Sequence, residues 1–176
     1  MAKKKKKPAP KKVKAKKVVK KKVSALPKGY TTVTPYLVCR NADQAIEFYK
    51  KAFGAKEKTR MLGPDGKIMH AEITIGNCHI MMGEESAEMG MPSPQSLGGS
   101  ASGVMLYVKN VDALFASAVA AGATVEMPLA DQFWGDRYGK IADPFGHKWS
   151  LATHIEDMSV KEMARRGDEF FKQFQQ

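Results

Sequence analysis

One supersecondary pattern occurs twice in this chain, and that repetition restricts the fold more than any other feature of the sequence. Asn41-Ala42-Asp43-Gln44-Ala45-Ile46 and Asn110-Val111-Asp112-Ala113-Leu114-Phe115 stand at matching points. Each follows a β-rich run, and each opens a helical segment that closes in Gly-Ala, at Gly54-Ala55 and Gly122-Ala123. In the first copy, residues 33–39 read as a strand and Asn41 is placed to cap a helix through Phe53, with Ala42, Ala45, Ile46, Tyr49, Ala52 and Phe53 on one face. Residues 56–62, 67–75 and 78–82 follow as three strands, divided by the turn residues Gly63-Pro64-Asp65-Gly66 and Gly76-Asn77. The second copy runs through a strand at 104–108, a helix capped by Asn110, and strands near 124–127, 135–142 and 147–153, with Asp143-Pro144-Phe145-Gly146 as its last turn. Each copy is a βαβββ unit.

Between the copies, residues 83–102 are rich in Gly, Ser, Met and Pro and read as a flexible linker; Met81, Met82, Met89 and Met91 near it are candidates for a pliable lid or for simple gap filling. After the second copy, Ser159-Val160-Lys161-Glu162 fits a capping box. Val160, Met163, Ala164, Gly167, Phe170, Phe171 and Phe174 then recur at helical spacing, a stripe expected to pack on its own domain.

The formal net charge of +11 points to nucleic acid only until it is divided along the chain. Residues 1–28 hold 14 of the 29 basic residues, all lysine, and no acidic one, which leaves 15 basic against 18 acidic residues, a net of −3, for the remainder. The tail has too little apolar surface and too much like charge to compact, so disorder is expected over 1–28. Its chemistry suits a non-specific nucleic-acid arm acting by counterion release, or a merely solvated tail. Its longest apolar stretch is Val18-Val19, far short of a secretory signal, and no run in the chain approaches transmembrane length. Two cysteines, Cys39 and Cys78, form neither a CxxC pair nor a disulfide framework, so a reduced, cytoplasmic protein without membrane contact is expected.

Side-chain alternation is the guide to chemistry. On the strand 67–75, Met69, Ala71, Ile73 and Ile75 alternate with His70, Glu72 and Thr74, so the apolar set is expected under the helix and the polar set on the open face. His70 and Glu72 then lie about 7 Å apart by strand rise. A carboxylate that near an imidazole fixes its tautomer or raises its pKa, which suits proton transfer or the holding of an oxygen-rich ligand. The alternative is an ordinary solvated strand face. Trp134, Asp136, Arg137 and Tyr138 combine a flat aromatic surface with a bidentate cation, which suits a planar or anionic ligand; Asp136 is read as structural. Tyr36 and Trp149 are further candidates to wall the cavity, with core packing the competing role for Trp149. His79, His147 and His154 form no metal-spaced motif and read as structural. No nucleophile elbow, P-loop or dinucleotide fingerprint is present.

The sequence resembles the PhnB-like branch of the vicinal oxygen chelate (glyoxalase/bleomycin resistance protein/dioxygenase) superfamily over about residues 32–166. The resemblance rests on Thr34-Pro35-Tyr36-Leu37, residues 45–54, Met69-His70-Ala71-Glu72, Phe133-Trp134-Gly135-Asp136-Arg137-Tyr138-Gly139, and Asp143-Pro144-Phe145-Gly146-His147-Lys148-Trp149. It implies an α+β fold in which two βαβββ modules, about 31–83 and 103–155, form a mixed curved sheet around a pocket within a domain over 29–157, plus a C-terminal helix over 158–176. It also implies a small molecule as partner. Enzymes of the superfamily bind a divalent metal from the opening and closing strands of each module. Those positions here carry Thr34, Gly103, Met81 or Met82, and Ser150, a poor donor set for a catalytic metal. The reading that follows is a small-molecule-binding protein with no cofactor, acting by sequestration or by a metal-independent reaction. Its alternatives are a metal-dependent lyase or dioxygenase using displaced ligands such as His70 and Glu72, and a nucleic-acid-associated protein acting through its tail. Paired modules assemble within one chain or exchange between chains, so a homodimer stays open.

Overall fold

The computed structural model describes residues 23–173, so the disorder expected of the tail falls mostly outside the described residues, as does Phe174. The first module is β1 (Tyr36–Cys39), α1 (Ala42–Phe53), β2 (Lys56–Leu62), β3 (Ile68–Ile75) and β4 (Cys78–Glu84). After a short helix α2 (Pro94–Leu97), the second is β5 (Gly103–Tyr107), α3 (Val111–Ala120), β6 (Thr124–Asp131), β7 (Asp136–Ala142) and β8 (Lys148–His154). The C-terminal helix α4 spans Val160–Lys172. The two sheets have the same topology, β1-β4-β3-β2 and β5-β8-β7-β6, each with one parallel pair and two antiparallel ones.

Several local expectations are corrected. Asn41 does not cap α1 with its side chain: it sits in the left-handed region at φ 68°, and the Glu84 carboxylate at the end of β4 accepts from the backbone N–H groups of Asn41 and Ala42, each at 2.8 Å. A partner strand thus supplies the anion that the exposed amides of a helix start require. Asn110 caps α3 as expected, accepting from the Ala113 N–H at 3.0 Å. The 83–102 segment is not a plain linker, because Ser93 caps α2, Gly98 ends it, and Glu85 gathers Ser93, Ser96 and Arg40. Met69 is half exposed while Ile68 is buried, since register shifts between β2 and β3 leave residue 69 out of the alternation.

The largest correction concerns the direction in which the modules face. α1 covers the side of the first sheet that carries Leu37, Cys39, Ala71, Ile73, Ile80 and Met82, all buried. Tyr49 and Phe53 of α1 then reach past that sheet to Trp149 of β8, with ring centroids 5.4 and 4.7 Å apart, and Phe48 meets Phe145 at 6.2 Å. α1 also packs along α3. The two helical faces therefore share one core, and burying each of these rings contributes about 2 kcal/mol. It follows that within one chain the open faces of the sheets point away from each other, whereas the sequence suggested that they turn toward a common pocket.

At the core's centre lies the carboxylate of Asp143, with no exposed side-chain surface. It accepts from Tyr49 Oη at 2.7 Å, Trp149 Nε1 at 2.9 Å, and the backbone N–H groups of Phe145 and His147 at 2.9 Å each. The Asp-Pro-Phe-Gly-His turn is thus the bolt between the modules. α4 is held more loosely: Gly167 and Phe170 lie against Phe133, while Val160 and Phe171 stay exposed, so the apolar stripe is only partly covered by its own domain. No described helix is long and apolar enough to cross a membrane.

Candidate functional site

The open face of the first sheet carries His70 and Glu72 from β3, His79 and Met81 from β4 and Tyr36 from β1, by strand alternation. His70 Nε2 stands 3.3 Å from Glu72 Oε1, closer than strand rise alone requires, because both side chains lean together. The Tyr36 ring, partly exposed, lies 6.1 Å from the His70 ring. Sequence reasoning missed one contributor. Tyr30, from the segment before β1, donates its hydroxyl to Glu72 and stacks on His79 with ring centroids 4.2 Å apart. That hydrogen bond comes first among the causes that hold the Glu72 carboxyl below its ordinary value, with His70 adding to it against the cost of desolvation.

On the second sheet, β7 places Asp136, Tyr138 and Lys140 on the open face, and β8 places Ser150 and His154 there. Asp136 is buried and saturated: it accepts from Tyr107 Oη at 2.8 Å, Trp134 Nε1 at 3.0 Å and His154 Nδ1 at 2.8 Å. Burial works against its ionisation, yet the bonds from His154, Tyr107 and Trp134 outweigh that and keep its carboxyl below the ordinary range. Trp134 packs edge-on against Tyr138 at 5.5 Å, and the Tyr138 hydroxyl pairs with Ser150 Oγ at 2.8 Å. A cleft of about 350 Å³ opens beside this group, lined by Ser102, Met105, Lys140, Lys148 and Ser150 among others. A larger cavity of about 510 Å³ lies at the far end of the first sheet, between Gly63 and Met89. Two of its carboxylates, Glu84 and Glu85, are committed to backbone N–H groups, so it is the less apt ligand site.

His154, read from sequence as merely structural, is tied to the site. Bonds to Asp136 and then Asp157 raise its pKa above the ordinary 6.5. Because the folded-state value is the higher one, this attraction stabilises the fold in full below about pH 6.5 and is lost as pH rises through the raised value. NMR titration of the imidazole is expected to give a value above 6.5 that drops toward it in Asp136→Asn; a value unmoved by that substitution would contradict the pairing.

Two candidates lie elsewhere. Arg137 is on the helix side of β7, clamped on Asp112 of α3 at 2.7 Å and on Asp131 at 3.0 Å, so its guanidinium is not offered to the open face. Trp149, 1% exposed, is in the shared core. Both follow from parity: along a strand, neighbours of Asp136 and Ser150 must point the other way.

The residues at the superfamily's metal positions do not fit a catalytic divalent ion. The Thr34 hydroxyl bonds the Thr31 carbonyl, Gly103 has no side chain, Met82 is buried and Ser150 is engaged by Tyr138. Among the described residues no three His, Cys, Asp or Glu side chains converge as a metal site.

Comparison with known proteins shows the family of the chain. The model of the Glyoxalase/Bleomycin resistance protein/Dioxygenase superfamily matches residues 30–151. An uncharacterized protein of Mycobacterium bovis is 44% identical over 143 residues, covering 77% of this chain and 94% of its own. Among solved structures, TioX from Micromonospora sp. ML1 aligns with a TM-score of 0.57 at 28% identity, covering 71% of this chain and 99% of that one. The PhnB protein from Bacillus cereus aligns with a TM-score of 0.55 at 18% identity, covering 70% of this chain and 99% of that one, a likeness of fold alone.

Proposed function

Because the chain belongs to the Glyoxalase/Bleomycin resistance protein/Dioxygenase superfamily, we propose that it binds a small molecule, in a chamber closed by two copies of the chain. The observation that carries this reading is the shared helical core: it leaves His70 and Glu72 on one outward face and Trp134, Asp136, Tyr138 and His154 on the other. Each face is partly polar and lies on the side of its sheet away from the shared core. A second protomer, set so that its second sheet faces the first sheet of its partner, makes two equivalent chambers by a two-fold axis, the commonest symmetry for such an assembly.

Within a chamber, Tyr36 and Trp134 supply flat apolar walls, and His70 with Glu72 supplies one proton-exchanging pair. The function is sequestration, with proton transfer at His70 the one reaction this donor set supports. Among the described residues the donors do not converge on a metal ion. The two tryptophans provide the test, because one is on the proposed wall and the other in the core. With 5-fluorotryptophan incorporated, a library of small aromatic compounds is expected to yield binders that shift the Trp134 fluorine signal and spare that of Trp149. A library in which no compound moves Trp134, or in which binders move Trp149 alone, would count against the reading.

A further inference from the structure

The chain covers part of its own open face. Pro27 to Tyr30 makes a turn, closed by the Tyr30 N–H on the Pro27 carbonyl at 3.2 Å, which lays Tyr30 over the first sheet. Gly29 passes so near His79 that a Cβ there would be 3.1 Å from Nε2, at a φ of +89° that side chains avoid. The Tyr30 ring stacks on His79 and its hydroxyl meets Glu72, so one side chain uses both an aromatic surface and a hydrogen-bond acceptor of the proposed chamber. On the same ring, His79 Nδ1 is buried and has no hydrogen-bond partner. A buried polar atom without a partner is a cost to the folded chain.

We infer that Tyr30 is an intramolecular stand-in for the ligand, and that the first sheet selects a phenol-like compound, a flat ring bearing a hydroxyl donor. This rests on the chamber reading and adds the ligand's chemical class. Such a ligand displaces Tyr30, stacks on His79 and donates to Glu72. Tyr30 is then a competitor of the ligand, and its removal makes binding tighter. That is opposite to what an ordinary contact residue would do.

The probe is p-cresol, the side chain of tyrosine as a free molecule, with toluene as the analogue that lacks the hydroxyl. Binding to the 176-residue chain is followed by the amide signals of Glu72 and His79. Tyr30→Ala is expected to bind p-cresol about tenfold or more tightly than the native chain. It should prefer p-cresol over toluene by about tenfold, the scale of one hydrogen bond to a charged acceptor. Glu72→Gln in the same background should reduce that preference. Tyr30→Phe, which keeps the ring, guards against loss of the fold: it should raise the Glu72 pKa and admit p-cresol more readily than the native chain. Equal p-cresol binding by native chain and both variants, or equal binding of toluene and p-cresol, would overturn the inference. If that happens while the fluorotryptophan screen still finds ligands at Trp134, the stand-in falls and the chamber remains; if both fail, both fall.

Discussion

Asp143→Ala is expected to cost about 4 kcal/mol of folding free energy, since it leaves a cluster of buried donors without their acceptor. Trp149 Nε1 and two backbone N–H groups lose their partner together, and Tyr49 Oη is left with only the longer contact to His147 Nδ1 at 3.4 Å, in a site closed to water. Burial opposes the charge on Asp143, but bonds from His147, Trp149 and Tyr49 prevail and hold its carboxyl below the ordinary 3.8. The sign is that of a depressed acid: the stabilisation is present above about pH 3.8 and is lost as pH falls through the lower folded-state value. Asp143→Asn keeps one acceptor oxygen for the turn and should cost about half as much. Urea denaturation at neutral pH measures both. A midpoint for Asp143→Ala within error of the native one would mean that the modules are not bolted through this carboxylate. By contrast, exposed pairs such as Arg40 with Glu85 fall in the class worth under about 1 kcal/mol.

Gly135→Ala is expected to be nearly as damaging, for a reason of backbone rather than charge. Gly135 has a φ of +91°, and a Cβ there would stand 2.2 Å from the Glu156 carbonyl oxygen and 3.0 Å from Met158 Cε. The Gly135 carbonyl in turn accepts from the N–H groups of Ile155 and Glu156 at 2.9 and 3.0 Å. The two segments must part, with loss of both bonds and added strain at the residue, about 3 kcal/mol in all. In a domain of this size that corresponds to a fall in melting temperature of about 10 °C. Because Gly135 stands between Trp134 and Asp136, the damage should reach the site as well: the His154 pKa should drop toward 6.5 in the variant that remains folded. A Gly135→Ala protein with native melting and a native His154 titration would show that the close approach is not needed.

The architecture was legible because the chain states it twice. Two helices with matching starts and Gly-Ala ends, each followed by three strand-length runs, leave few alternatives once turns are placed at Gly63–Gly66 and Asp143–Gly146. His70 and Glu72 were legible for the same reason, since a two-residue period puts them on one face whatever the tertiary packing. That rule, applied along 134–138 and 149–154, separates Asp136 and Tyr138 from Arg137, and His154 from Trp149. Reading Trp134 to Tyr138 as one aromatic and cationic patch ignored it. Other features were not in local sequence at all. Glu84 caps α1 through β4 pairing beside β1, and Tyr30 meets Glu72 and His79 through a turn that carries no motif. The direction of the open faces is likewise a product of long-range packing, decided by Tyr49, Phe53 and Trp149 meeting across the modules.

That outward direction is the basis of the functional reading, and one measurement addresses it most directly. A nitroxide is attached at Lys140→Cys, on the open face of the second sheet, in chains that carry Cys78→Ser and no isotope label. These are mixed with ¹⁵N-labelled native chains, and paramagnetic broadening is read on the labelled chains. Two chains facing each other sheet to sheet should broaden the amides from His70 to Thr74 of β3, on molecules that carry no nitroxide themselves, and spare those of α1 in the shared core. Broadening of the β3 amides only when the nitroxide and the isotope are on the same chain, or none in the mixture, would contradict the account.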